Sequence, residues 1–251
     1  MRLARAAFAA LLACAATAWA QEPALRLESL AERIAKLQAQ VGQGVLADRS
    51  KRALPEALRE FDSTLKNATA RATTADAREN YLLLKLLWQD LRPWTLKPAT
   101  RDNAKRISDR VEEIAWTASK GARMAVEPGR KGSALLALDA SNVATLAQRA
   151  ARLHLLRHWG IRDASLKANI DKSTEDLRAT LERLRKSPVN TPEIETELEI
   201  ATGQLQFLLQ AAQELEGGRG SVRQMEFIAK SGDHILESME RAARLYDGLP
   251  P

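Results

Sequence analysis

The sequence predicts an all-α protein: two tandem antiparallel four-helix bundles behind a cleaved signal peptide. Three observations lead there. Apolar residues recur at steps of three and four along nearly the whole chain, no segment alternates with period two for long enough to make a strand, and an octapeptide early in the first half returns 116 residues later. With 251 residues, 45% of them hydrophobic, the chain has material for a large packed core.

Met1 to Ala20 has the anatomy of a secretory signal peptide. Arg2 and Arg5 form the positive region, Ala6 to Ala16 a short apolar run, and Ala18-Trp19-Ala20 the small-x-small cleavage site, which gives a mature start at Gln21. The apolar run is shorter than the roughly 20 residues that span a bilayer. The alternative makes Leu11-Leu12-Ala13-Cys14 a lipobox with a lipidated Cys14, although Arg5 then leaves only about eight apolar residues before the cysteine. Further on, the densest apolar stretch, Tyr81 to Trp88, is interrupted by Lys85 and closed by Gln89-Asp90, so no membrane span is expected.

Four amphipathic stripes follow the leader: Leu27, Leu30, Ile34, Leu37, Val41; Leu54, Leu58, Phe61, Leu65, Ala68; Ala77, Tyr81, Leu84, Trp88, Leu91; and Ala104, Ile107, Val111, Ile114, Ala118. Each puts one apolar face on a helix. Turn chemistry places breaks at Asp48-Arg49-Ser50, Thr73-Thr74 and Arg92-Pro93-Trp94-Thr95 with Pro98. Residues 127–133, from Glu127-Pro128-Gly129 to Gly132-Ser133, form the expected linker between a bundle at 21–126 and a second at 134–248. The second set of stripes runs through Val143, Leu146, Ala150, Leu153; Leu166, Ile170, Leu177, Leu181, Leu184; Ile194 to Leu215; and Met225 to Tyr246. Thr191-Pro192-Glu193 is a helix start with a capping threonine, Gly217-Gly218-Arg219-Gly220 a loop, and Gly248-Leu249-Pro250-Pro251 a stop.

The repeat is Leu30-Ala31-Glu32-Arg33-Ile34-Ala35-Lys36-Leu37 against Leu146-Ala147-Gln148-Arg149-Ala150-Ala151-Arg152-Leu153, five of eight positions identical. The same offset of 116 aligns Phe61 with Leu177, Thr64 with Thr180 and Leu65 with Leu181. Two unrelated Leu/Ala-rich bundles matching by composition is the alternative.

Leu146-Ala147-Gln148-Arg149-Ala150-Ala151-Arg152 resembles the Leu-Ser-Gln-Arg-Met-Ala-Lys core of the PilJ-type domain. That is the periplasmic sensor domain of type IV pilus methyl-accepting chemotaxis transducers, related to the sensor domain of nitrate/nitrite kinases. Ser187-Pro188-Val189-Asn190-Thr191-Pro192-Glu193-Ile194 is similar to that family's loop between its second and third helices, and Leu236 to Tyr246 to its last helix. The resemblance implies a periplasmic helical ligand-sensing module, often dimeric. The arginine that contacts the anion in the nitrate sensors falls at Glu28 and Ala144, so no nitrate-contacting residue carries over at those positions. The family's flanking transmembrane helices, coiled-coil relay and signalling domain have no counterpart in the sequence, so signalling would need a membrane-bound protein partner.

Candidate binding residues come from the repeat. Arg33 and Lys36, and Arg149 and Arg152 at matching positions, each share a helical face and can clamp a small anion, with Gln148 beside them and Glu32 opposing in the first copy. The competing reading is a basic edge whose stems cover the core and whose heads sit in water. His154 and His158, four apart, can present two imidazoles to a metal, but neighbouring residues offer no third ligand, and interhelical or surface histidines explain them as well. Trp88 falls on a core stripe; Trp94, Trp116 and Trp159 can pack between bundles or line a cleft.

Glu112-Glu113 and the Glu193, Glu195, Glu197, Glu199 run read as helix-surface charges. The sequence holds no Gly-x-Ser-x-Gly, phosphate loop, dinucleotide fingerprint or His-Glu-x-x-His, and Cys14 is its single cysteine. The expectation is therefore a non-enzymatic protein without metal or cofactor. Arg2 and Arg5 leave with the leader, so 36 basic residues face 32 acidic ones, a net charge of +4 without a basic stripe, and no nucleic-acid partner is expected. Two function classes stay open: a soluble periplasmic sensory or ligand-binding module, which takes a small anion or other small ligand and can homodimerise, or an envelope or pilus adaptor that docks a protein through its helix faces.

Overall fold

The computed structural model describes residues 22–125, 132–217 and 221–249, and these are helical throughout with short turns between. The elements are α1 (Glu22–Gln43), α2 (Ala47–Arg71), α3 (Ala75–Thr95), α4 (Arg101–Ala125), α5 (Ser133–His158), α6 (Ala164–Arg185), α7 (Pro192–Glu216) and α8 (Val222–Asp247). The expected signal peptide, Cys14, Gln21 and residues 127–131 of the expected linker lie outside the described residues. No helix among the described residues is long and apolar enough to cross a membrane.

Most of the predicted stops and starts carry their chemistry. The Thr74 hydroxyl accepts from the Ala77 amide at 3.1 Å, and Thr191 caps α7 with Pro192 in its first turn. Ser221 and Gln224 form a reciprocal capping box on α8. Two expected breaks are displaced. The first turn is at Gly44-Val45-Leu46 rather than at Asp48-Arg49-Ser50, with Gly44 at φ 71° and Leu46 at φ 49°. Asp48 instead sits in the first turn of α2, where a carboxylate complements the helix dipole. Pro93 does not end α3 but lies in its last turn. There side chains from other helices hold the terminal carbonyls: Asn103 Nδ2 donates to the Trp94 oxygen at 3.0 Å, and Gln38 Nε2 to the Thr95 oxygen at 2.7 Å.

The helices pack in two groups. In the first, α1 lies against α2 and α4, and α3 closes chiefly onto α4; in the second, α5 lies against α6 and α8, and α7 onto α8. Each group has its own apolar core, around Leu27, Ile34, Phe61 and Ile114 in one and Leu177, Leu198, Ile235 and Tyr246 in the other. The groups meet where α1 packs along α5. Contacts rise along both helices together: Glu32 meets Arg152, and further up Gly42 meets Trp159, so the two run parallel. A third cluster at this end, with Ala39, Ala104, Leu155, Leu156 and Met225, draws on both groups. The alanines that flank the leucine stripes of α1 and α5 explain why both helices are buried on more than one side.

Close approach at this seam requires glycine at position 42. A Cβ there would lie 2.1 Å from the Trp159 ring and 2.4 Å from the Ala99 carbonyl oxygen. Gly42→Ala is therefore expected to destabilise the protein by about 1–3 kcal/mol through overpacking. Gly203, on the outer side of α7, meets nothing within 4 Å, so Gly203→Ala is expected to add about 0.5–1 kcal/mol by helix propensity. Urea unfolding of the two variants should move in opposite directions.

Candidate functional site

The five residues singled out in the repeat gather along the α1–α5 seam, and four of them engage groups of the chain itself. Lys36 is 0% exposed; its Nζ donates to Asp233 Oδ1 on α8 at 2.5 Å and to the Ala229 carbonyl at 3.4 Å. Arg152, also 0% exposed, donates from Nε and Nη2 to the two Glu32 oxygens at 2.7 and 3.3 Å. Its Nη2 also reaches Glu112 Oε1 at 2.7 Å, and its Nη1 donates to the Ser108 hydroxyl. Arg149 pairs with the other Glu112 oxygen at 2.6 Å, and Gln148 Nε2 donates to the Gly232 carbonyl at 2.7 Å. Lys36 and Arg152, expected to clamp an anion, are paired with carboxylates from other helices, and their heads do not sit in water.

Burial penalises each of these charges, and pairing decides the outcome. Burial alone would raise the Asp233 carboxyl, but Lys36, with Arg33 and Arg49 nearby, holds it below the usual range; burial pulls Lys36 down. Burial also works against the Arg152 charge, yet Glu32 and Glu112 hold its pKa up, while burial raises Glu32. Arg49 Nη2 lies 3.8 Å from Asp233, and Arg33 keeps a buried Nε without a hydrogen-bond partner. The Lys36 end of the seam thus sets three cations around one carboxylate. The Arg152 end is the reverse, with two cations beside Glu28, Glu32 and Glu112.

At this acidic end the two helix groups part into a cleft of about 1030 Å³. Its walls are α4 and α5, with α1 as floor and α6 at the rim. Glu28 stands on the floor, one turn before Glu32. It makes no ion pair among the described residues; its carboxylate is hydrogen-bonded by Ser119 of α4. Burial, reinforced by Glu32, pushes the Glu28 carboxyl up to about 7, although Ser119, Arg123 and Arg149 work in the other direction. Trp116, one turn from Ser119 on the same face of α4, lines the cleft with 62% of its surface exposed.

The other candidates go elsewhere. His154 is buried among the helices, its Nε2 without a partner, and burial pushes its imidazole down to about 4; His158 is exposed in the last turn of α5. Among the described residues no three His, Cys, Asp or Glu side chains come together as metal ligands. Trp88 packs its ring 4.1 Å from Phe61 and donates to Asp62 at 2.7 Å. Trp94 lies under Lys97 and Arg106, and Trp159 covers Gly42. Glu193, Glu195 and Glu199 are on the surface. Glu112 reads as a surface charge in sequence and is instead the carboxylate that bridges Arg149 and Arg152.

Glu28 was the residue the sequence did not single out as a contributor. Its signal was present: two glutamates, Glu28 and Glu32, four apart on a helix repel each other unless a partner covers them. No protein-family model matches the chain, and neither the curated proteins nor the solved structures contain a significant match.

Two measurements probe this geometry. Arg152→Met leaves Glu32 buried beside Glu112 without its counter-ion and is expected to cost about 3–5 kcal/mol in urea unfolding. The Glu32→Gln, Arg152→Met double variant should recover much of that loss. Because the folded-state pKa of Glu28 is raised, the folded protein keeps a proton that the unfolded chain releases, and stability falls as pH rises from about 4.5 through about 7. Glu28→Gln should therefore melt at higher temperature than the parent at pH 8 and at the same temperature near pH 4.

Proposed function

We propose that this chain is a non-catalytic, exported ligand-binding module: two tandem antiparallel four-helix bundles of PilJ type, acting in the periplasm through a membrane-bound protein partner. The observation that carries this reading is the cleft between α4 and α5. Its size is at the upper end of small-molecule sites, its lining mixes leucines with a few charged groups, and it draws residues from both helix groups. A ligand there bears on both halves of the molecule at once, which is what a sensory module requires. The repeated octapeptide supports the duplication, since both of its copies lie on the two helices, α1 and α5, that form the seam.

A second reading, an adaptor that docks a protein partner, is favoured by one feature. On α3 the neighbouring Leu82, Leu83 and Leu86 are all exposed, an apolar face that no helix covers among the described residues.

A thermal-melt screen of residues 21–251 against amines, amino acids, small anions and metal ions separates the two. A ligand at 100 times its dissociation constant is expected to stabilise the fold by about 2.7 kcal/mol, a shift of several degrees. Loss of that shift in Arg149→Ala or Glu28→Gln would locate the ligand in the cleft. A flat screen from a cooperatively melting protein would overturn the ligand reading in favour of the adaptor.

A further inference from the structure

We infer that the cleft takes an organic ammonium with an apolar body, its charge on the Glu28 carboxylate and its body against Trp116 and the leucines of the rim. This deepens the ligand-binding reading above and rests on it. Most of the charges that line the cleft are already engaged. Arg149 is tied to Glu112 at 2.6 Å, Arg183 to Asp139 at 3.0 Å and Lys172 to Asp176 at 2.9 Å. Behind Arg149, Arg152 is tied to Glu32 at 2.7 Å.

An anion seated on Arg149 or Arg152 would have to take that arginine from its carboxylate; exposed Arg123, bonded to the Ser119 hydroxyl, is the cleft cation it could reach without doing so. Glu32 is 1% exposed, so drawing Arg152 away would strand a buried negative charge. A cation meets no such obstacle. Glu28 carries no ion pair among the described residues; Ser119 is its hydrogen-bonding neighbour, and Arg123 and Arg149 act on it at longer range. Arg123, the exposed arginine at this rim, gives its Nη2 to Ser119 Oγ at 2.8 Å and forms no ion pair with Glu28. An ammonium on Glu28 therefore gains a charge-assisted hydrogen bond without breaking an existing one.

The walls define the rest of the ligand. Trp116 presents an indole ring with Lys120 Nζ as its nearest cation, 5.9 Å from the ring centroid and at the outer limit of a cation–π contact. Serine and indole stand three residues apart on α4, so a molecule whose nitrogen reaches Glu28 can lay its carbon skeleton on the ring. Leu25 of α1 and Leu138 and Leu146 of α5 supply the apolar remainder of the wall. The groups that surround Glu28 electrostatically are Glu32 from its own helix, Arg123 from α4 and Arg149 from α5; the two arginines lower its proton affinity without reaching it. Deprotonation of Glu28 completes the site, so amine binding should strengthen as pH rises through about 7.

Phenethylamine, 2-phenylethanol and 3-phenylpropionate share one apolar body and differ in charge, and isothermal titration of the three at pH 8 decides the matter. The expected result is saturable binding of phenethylamine, weakened about tenfold or more by Glu28→Gln. Trp116→Ala, on an exposed position, should weaken it about threefold or more with the fold intact. Phe-Ala-Ala-amide, a peptide with a free amino terminus, in the same titration separates the sources of the charge. Tighter peptide binding marks a chain terminus as the ligand and tighter phenethylamine binding a free amine, each with the ammonium on Glu28.

Equal binding of the three phenyl compounds, or preference for the carboxylate, would overturn the ammonium assignment while leaving the cleft as the binding site. Phenethylamine binding that survives Glu28→Gln would overturn it as well. No binding by any of them would overturn the ammonium assignment; the wider thermal-melt screen then decides separately whether the cleft binds anything.

Discussion

Lys36 and Arg152 are sealed between helices, and each is neutralised by carboxylates across the junction of the two helix groups. The rest of the arrangement depends on this constraint. A buried ion pair adds little net stability, because desolvation consumes most of the Coulombic gain. Its contribution is to register. If α1 slid along α5 by one turn, Arg152 would leave Glu32, and two charges would remain buried without partners. Apolar stripes tolerate such a slip much better, since one leucine can replace another. The seam is held in place by the cost of the wrong alignments as much as by the gain in the right one.

That register also produces the cleft. Arg152 reaches past Glu32 to Glu112 and Ser108, so it anchors the middle of α4 to the last third of α5. From that anchor α4 and α5 continue toward the linker end with few direct contacts between them, and the space that opens is floored by the first turns of α1. Glu28, one turn before Glu32, falls at the edge of the anchor: near enough to feel Glu32, too far along to share its arginine. The unusual carboxylate of the site is a by-product of where the seam is pinned.

Much of this was legible in the residues, and what was not has a common cause. Threes-and-fours periodicity reports the face a helix turns toward its own group, so the eight stripes, the Thr74 and Thr191 starts and the Gly248 stop could all be read. It says nothing of a second face covered by a helix more than 100 residues away. On α1 and α5 that second face carries alanines interleaved with Lys36, Arg152, Glu32 and Gln148, and in sequence a long cation beside alanines looks like a solvated edge. Trp116 was readable only as a cleft or packing residue for the same reason. Pro93 lies inside α3 because the amides of Asn103 and Gln38 hold the end of that helix from other helices, which local turn chemistry does not reveal.

The two halves share the octapeptide but are unlike in charge, and this asymmetry bears on what the molecule can do. Lys36 and Arg152 occupy matching places in the repeat, yet one end of the seam surrounds a single aspartate with three cations and the other sets two cations among three glutamates. A duplicated unit with identical copies would offer the same ligand chemistry twice. Here Glu32 stands where the second octapeptide has Gln148, and that one difference places a carboxylate on the helix next to Arg152 while Gln148 donates to the Gly232 carbonyl. For an amine seated on Glu28, contact extends to α1, α4 and α5 together. Its binding energy then adds to a seam already packed and ion-paired, so the coupling between halves is a tightening of that seam; a hinge about Gly132 would have to break both buried pairs to open.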